Sequence, residues 1–244
     1  YKRQVCRGAD KPVPTKITQR VVLSAVSAVF DPLGICSPFT TRMRLLLKKI
    51  WAAKGQAWDE PLSDEFHKPF LEGCQELQLI RTMNVQRLYL KPEPKQLNLH
   101  LFTDASEDAM CIVAYLQDAD SLQLSYIVGK CRVAPIRHMA IPKLELQAAV
   151  YGVRLRDLII DQHDVNFDKF YHWTDSSTVL QWLQGAHKKQ PVFVANRVAE
   201  ILESSTADEW YHVKGIENPV DIGTRGMTVE LLKESQWLNG SAWL

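Results

Sequence analysis

Two stretches of this chain end an apolar alternation on a carboxylate. LNLHLFTDAS (Leu97 to Ser106) stops at Asp104, and YHWTDSSTVLQWL (Tyr171 to Leu183) stops at Asp175 before restarting as a helix. A charge placed where a core should be closing is costly unless something neutralises it. In an open α/β sheet, sites form beyond the carboxyl ends of the strands, so Asp104 and Asp175 converge if their strands are neighbours. Glu145 follows Pro142 by three residues, in what reads as the first turn of a long helix, and Asp221 lies in a short turn after the last strand. Each acid alone has an ordinary explanation: Asp before Ser-Ser caps or turns the chain, and Glu at a helix start suits the macrodipole. Four acids gathered at strand ends and helix starts repel one another unless protonated or neutralised. Hard divalent cations prefer such oxygen ligands. Two of them roughly 3.5–4 Å apart can activate a water and support the leaving oxygen of a phosphodiester.

The elements that must position these acids follow from periodicity. TQRVVLSAVSAVF has helical apolar spacing, with Thr18 as a cap. DPLGICSP (Asp31 to Pro38) is a turn by its Pro and Gly content. FTTRMRLLLKKIWAAKG predicts a helix stopped at Gly55. SDEFHKPFLEGCQELQLI predicts another, capped by Ser63 and interrupted at Pro69. Residues 1–18, with Pro12 and Pro14, read as irregular, and KPEPK (Lys91 to Lys95) reads as a boundary. Beyond it LNLHLFTD, MCIVAYLQ and LQLSYIVGK are strands, the last two separated by the turn-like DADS. IPKLELQAAVYGVRLRDLII is a long helix with Pro142 in its first turn. FDKFYHWTD is a strand, SSTVLQWLQ a short helix capped by Ser176 or Ser177, VFVANRVAEILESS a helix, and DEWYHVKG a strand. After NPVDIGTRG the chain ends in one helix. The order β-β-β-α-β-α-α-β-α implies a mixed sheet flanked by helices, an α/β fold. The expected division is a smaller, mostly helical region at 1–92 and the α/β domain at 93–244.

Composition narrows the classes. The chain is 46% apolar and 23% charged, a globular balance, and has no run of about 18 apolar residues that would span a membrane. It starts at Tyr1 without an initiator Met or a signal-peptide pattern, and is expected to be a fragment of something longer. Five scattered cysteines form no C-x-x-C pair and no zinc spacing with the histidines, so reduced thiols are expected. The net charge of +1 hides an asymmetry: residues 1–92 carry 15 Lys/Arg against 8 Asp/Glu, and residues 93–244 carry 14 against 20. A basic segment can contact phosphates through charge alone or be an ordinary solvated face.

FTDAS, the Glu of IPKLELQAA, WTDSS and the Asp of NPVDIGTRG, in that order, resemble the four acidic motifs of the ribonuclease H family. SAVFDPLGICSP, KCRVAPIRHMAIPKLELQAA, FVANRVAEI and VKGIENPVDIGTRG resemble, more narrowly, the gag-pol polyprotein of BEL/Pao-type retrotransposons. The likeness runs from about Thr18 to the C-terminus. It implies a connection region followed by a ribonuclease H-like domain with a mixed five-stranded sheet. It implies hydrolysis of the RNA strand of an RNA/DNA hybrid during reverse transcription, in a cytoplasmic virus-like particle or in the nucleus. Asp104, Glu145, Asp175 and Asp221 then become ligands of two Mg²⁺ (or Mn²⁺), and the polymerase and integrase regions of the polyprotein become partners. One departure stands out. Where many ribonuclease H enzymes have a histidine after a glycine, Gly215 is followed here by Ile216 and Glu217, while His212 precedes the glycine and is expected in the strand. No Y-x-D-D polymerase motif is present.

Other residues divide between site and scaffold. Lys130, Arg132, Arg137 and Lys143 flank the Glu145 helix and can hold phosphates or form a solvated loop. Ser106, Ser176 and Asn218 can contact 2′-hydroxyls or serve as turn and cap residues. Trp173 should face the same side as Asp175, and Trp182 is expected in the core. Asn196 and Arg197 can meet a phosphate or sit on an exposed helix face, and His138 and His187 are expected at the surface. Two other classes compete with the nuclease: an inactive nucleic-acid-binding module, and a connector between polymerase and integrase regions.

Overall fold

The computed structural model describes residues 16–53, 57–80, 83 and 96–244. The irregular N-terminal stretch with Pro12 and Pro14, the helix stop at Gly55 and the boundary Lys91–Lys95 lie outside them. Five strands form one mixed sheet: β1 (Leu97–Ala105), β2 (Ala109–Asp118), β3 (Gln123–Val133), β4 (Lys169–Thr174) and β5 (Trp210–His212), in the order β3-β2-β1-β4-β5. β1, β2 and β3 pair antiparallel, and β4 and β5 join β1 in parallel. The period-2 alternation of β1 sends Leu97, Leu99 and Leu101 to one face, where they meet Ile112, Leu116 and the long helix α4 (Ile141–Gln162). Phe102 goes to the other face with Cys111, Val113 and Tyr115. Burying both faces explains why β2 is apolar almost throughout. Helices α5 (Ser177–Gln184) and α6 (Val192–Ser204) complete the layer on the α4 side.

The opposite face is covered by helices from both ends of the chain. Helices α1 (Gln19–Ser27), α2 (Ser37–Ala52) and α3 (Asp64–Leu79) share one apolar cluster with the sheet and with α8 (Val229–Leu232) and α9 (Gln236–Asn239), while α7 (Asp221–Arg225) lies against the sheet at Cys111 and Cys131. Thr18 caps α1 by accepting from the Val21 amide, as its position predicts. Pro69 does not interrupt α3. It removes one backbone donor, and Phe66 and Phe70 on either side are buried firmly enough to hold the helix through it. The C-terminal segment forms three short helices rather than one, because Gly226 (φ +80°) ends α7 and Thr228 and Ser235 start new turns. Glu145 is the fifth residue of α4, so it opens the second turn rather than sitting in the first. Among the described residues no helix is long and apolar enough to cross a membrane, and four cysteines are free thiols.

The DPLGICSP turn clamps the helical region to the sheet edge. The Asp31 carboxylate accepts from the amides of Ile35 and Cys36 at 3.0 and 2.7 Å. The Leu33 carbonyl then accepts from the Gly129 amide of β3 at 2.9 Å and from the Tyr126 hydroxyl at 2.8 Å. This covers the free edge of β3, which would otherwise present unpaired backbone groups. Gly34 has φ +72°, and a Cβ there would stand 1.6 Å from the Gly129 carbonyl oxygen. Gly34→Ala should therefore pry the turn from the edge strand and destabilise the protein by on the order of 3 kcal/mol or more in urea unfolding. An unchanged midpoint would show that the clamp contributes nothing.

Candidate active site

The parallel register of β1 and β4 fixes the centre of the site. Thr103 is opposite Thr174, so the next residues, Asp104 and Asp175, stand side by side at the carboxyl ends of strands about 4.8 Å apart. Asp104 is 7% exposed. Burial, followed by the Asp175 charge and more weakly by that of Asp221, pushes its carboxyl from 3.8 up to about 7. The Ala105 amide and the Thr224 hydroxyl, 3.2 Å from Asp104 Oδ2, oppose this. Asp175 is also raised, first by burial and then by Asp221, with His212 pulling the other way. Its Oδ1 is buried without a hydrogen-bond partner.

The other two acids arrive from helices. Glu145 on α4 accepts from the Ser176 hydroxyl at 2.6 Å, and burial together with the Asp175 charge raises it. Ser176 also caps α5 by accepting from the Val179 amide, so one hydroxyl ties the Glu145 helix to the turn that follows Asp175. Asp221 is the first residue of α7. Its Oδ1 accepts from Arg225, one turn on, at 3.1 Å from Nε and 3.0 Å from Nη2. Thr224, between them, reaches the Asp221 carbonyl as well as Asp104. Gly215 lies against the pocket, where a Cβ would come within 3.2 Å of Asp175 Oδ2. The four acids thus interact electrostatically around one pocket, although among the described residues no three His, Cys, Asp or Glu side chains are assembled in metal-ligating geometry. The donor set is nonetheless all oxygen, and a buried carboxylate oxygen without a partner beside a carboxyl driven toward protonation is what a divalent cation would relieve.

The residues expected to meet nucleic acid separate into two groups. Ser176 and Asn218 are buried, and their polar groups are used inside the protein. Asn218 donates to the Thr103 carbonyl at 3.3 Å and accepts from the Val220 amide, holding the loop before Asp221 to the end of β1. Ser106 closes the β1–β2 turn by accepting from the amides of Asp108 and Ala109. Lys130, Arg132 and Lys143 are exposed. Arg132 lies over the Tyr151 ring at 4.3 Å, and Lys143 lies over Phe193 at 5.4 Å. Arg197 shares that same ring at 3.5 Å and is fixed by Gln147 Oε1 at 2.8 Å. His212 ends β5, in the strand as expected, and is exposed. Trp182 packs against the α5–α6 core, and His138 and His187 are at the surface. Sequence reasoning did not single out Thr224 or Arg225, and named Gly215 only as the glycine that no histidine follows. The three- and four-residue spacings from Asp221 carried the signal for the first two, once Asp221 is placed at a helix start.

A family model described as a Pao retrotransposon-like RNaseH-like domain matches residues 18–176. No curated protein matches the chain. Among solved structures, RNase H1 of the halophilic archaeon Halobacterium salinarum NRC-1 is similar at 14% identity, with 54% of this chain and 91% of that one covered and a TM-score of 0.36. LC11-RNase H1 in complex with an RNA/DNA hybrid is similar at 10% identity, over 60% of this chain and 96% of that one, with a TM-score of 0.34. A foamy viral protease-reverse transcriptase in complex with double-stranded DNA is similar at 14% identity, over 87% of this chain and 34% of that one, with a TM-score of 0.44.

The raised acids make stability depend on pH with a definite sign. Asp104 holds its proton more tightly folded than unfolded, so between about pH 4 and 7 the native state carries the extra proton and stability falls as pH rises. Metal-free protein should lose urea stability from about pH 4 to about pH 7. Asp104→Asn should flatten most of that slope and gain on the order of 2 kcal/mol at the upper end. Added Mg²⁺ should restore the wild type there and leave the variant unmoved. A wild-type profile that climbs with pH would contradict the assigned burial.

Proposed function

Because the chain belongs to the family of Pao retrotransposon-like RNaseH-like domains, we propose that it cleaves the RNA strand of RNA/DNA hybrids with the help of two divalent cations. The observation that carries this reading is the juxtaposition of Asp104 and Asp175 at the ends of two parallel strands, each raised by burial and by a neighbouring carboxylate, Asp175 at Asp104 and Asp221 at Asp175. Asp104, Glu145, Asp175 and Asp221 would hold the cations. Bound there, Mg²⁺ or Mn²⁺ supplies Lewis acidity to a water and charge neutralisation to the departing 3′ oxygen.

The protein's own groups do the positioning. Ser176 orients the Glu145 carboxylate, Thr224 bridges Asp104 to the Asp221 helix, and Asn218 ties the intervening loop to β1. Gly215 leaves the Asp175 carboxylate uncovered on its loop side. Lys130, Arg132, Lys143 and Arg197 would receive backbone phosphates. Lys143 and Arg197 share one aromatic ring, Phe193, which joins α6 to the start of the Glu145 helix. Residues 1–92 serve as the connection to a polymerase region, and the setting would be a cytoplasmic virus-like particle. A second reading, binding without cleavage, is favoured by one feature: Asp221 is engaged by Arg225 rather than free to turn inward.

The test is incubation of the chain with a labelled RNA/DNA hybrid and Mg²⁺ or Mn²⁺. Asp104→Asn and Asp175→Asn should each lower cleavage by more than about 100-fold with the fold retained, and Ser176→Ala by about 10- to 100-fold through the loss of Glu145 orientation. Arg225→Ala should leave cleavage intact or raise it. Full cutting by either Asn variant would remove the metal assignment, and hybrid binding without any cutting by the wild type would favour the second reading.

A further inference from the structure

The sheet face that carries Asp104 and Asp175 continues away from the pocket as a layer of aromatic rings. Alternation places His100 and Phe102 of β1, and Tyr171 and Trp173 of β4, on that face. Their rings are nearly parallel: His100 and Tyr171 are 4.7 Å apart at 9°, and Phe102 and Trp173 are 5.9 Å apart at 17°. Tyr211 of β5 lies 5.2 Å from Trp173, and Trp243 meets Trp173 edge-on at 4.8 Å. The segment carrying α7 to α9 covers the β1–β3 side of this face. It leaves the β4–β5 side open, where Tyr211 is 39% and Trp243 is 43% exposed.

The platform is held rigid by a polar chain. The Trp173 indole N–H donates to His100 Nδ1 at 3.2 Å, which places the imidazole proton on Nε2. That proton is donated to Gln117 Oε1, also at 3.2 Å. Gln117 Nε2 donates in turn to the Leu244 carbonyl at 2.7 Å, fixing the segment that carries Trp243. Burial holds the His100 ring neutral, down to about 4, so the chain persists at neutral pH. One cation shares this face: Lys169 alternates onto it from the start of β4 and is exposed.

We infer that this ledge, Tyr211 and Trp243 around Trp173, is a stacking platform for the unpaired bases of a nucleic-acid strand that extends from a duplex seated at the acidic pocket. The inference rests on the proposed function. Three features favour a nucleic-acid strand over a protein. The ledge is continuous with the pocket, since Trp173 is two residues from Asp175 on one strand face. The rings are pre-oriented, and Lys169 lies on the same sheet face. Exposed rings of this kind accept any base, because every base has a π-face, and flanking cations hold the phosphates.

The experiment compares affinities for a short RNA/DNA hybrid, blunt or carrying a single-stranded extension of DNA or RNA, using wild type, Tyr211→Ala, Trp243→Ala and Trp243→Phe. The extension should tighten binding by the wild type. Each Ala variant should lose about ten-fold on the extended hybrid, with blunt-hybrid affinity and cutting unchanged, and Trp243→Phe should keep most of the gain. Preference for the DNA or the RNA extension identifies the strand that occupies the ledge. If the wild type cuts hybrid but gains nothing from either extension, the platform is overturned while the nuclease stands. If the Ala variants weaken blunt and extended hybrids equally, the rings are scaffold and the platform is likewise overturned. If the wild type cuts neither hybrid yet prefers the extended one through these rings, the nuclease fails and the platform stands.

Discussion

Two carboxylates forced together at the end of a parallel strand pair are the constraint around which the rest is arranged. Backbone hydrogen bonding between β1 and β4 sets the spacing of Asp104 and Asp175, and the side chains have no freedom to escape it. Desolvation and like charge both favour the protonated forms. The surrounding polar groups offset only part of that cost: Thr224 and the Ala105 amide at Asp104, Ser176 at Glu145. Asp175 Oδ1 is left without a donor.

The helical first third belongs to this arrangement, because it braces the helix that carries Asp221. A Cβ on Gly226, which ends α7, would lie 2.9 Å from Arg42 Cβ, and the Met227 amide donates to the Pro38 carbonyl at 3.3 Å. Glu76 of α3 joins the same junction, pairing with Arg42 and accepting from the Val229 amide at 3.2 Å. On the sheet side, a Cβ on Gly223 would stand 2.9 Å from both Cys111 Sγ and Cys131 Sγ. Helix α7 is therefore pressed between α2 and the sheet, with glycine wherever the gap is narrowest. The reach of Asp221 toward the pocket is set as much by residues near position 40 as by its own loop.

Much of this was legible in the sequence, for identifiable reasons. Strict alternation in β1 and the abrupt stops at Asp104 and Asp175 gave the strands and their functional ends, since a charge that breaks an apolar pattern is the strongest local anomaly a chain can show. The caps at Thr18 and Ser176 were readable from residue type and position. What was not readable depended on tertiary contacts. Pro69 stays inside α3 because Phe66 and Phe70 anchor it. The C-terminal segment breaks into three helices because it must follow the sheet face, with positive-φ turns at Gly226 and Gly240. Thr224 and Arg225 gained their roles only when Asp221 proved to be the first residue of a helix. Buried Asn218 shows the reverse case: a polar residue beside an acid looks like a substrate contact until its partners are seen.

Charge makes the same point about function. The excess of Lys and Arg in the first third suggests a phosphate-gripping arm, yet three of the four cations on α2 are engaged by partners within the protein. Arg42 pairs with Glu76, Arg44 donates to the Cys131 carbonyl at 3.3 Å, and Lys48 pairs with Asp108 at 3.2 Å. They fasten the helices to the sheet. Beside α4 and α6, by contrast, Arg132, Lys143 and Arg197 lean on aromatic rings rather than on carboxylates. Among the described residues the two uses of positive charge thus divide by element: ion pairs and carbonyl contacts on α2, ring contacts beside α4 and α6.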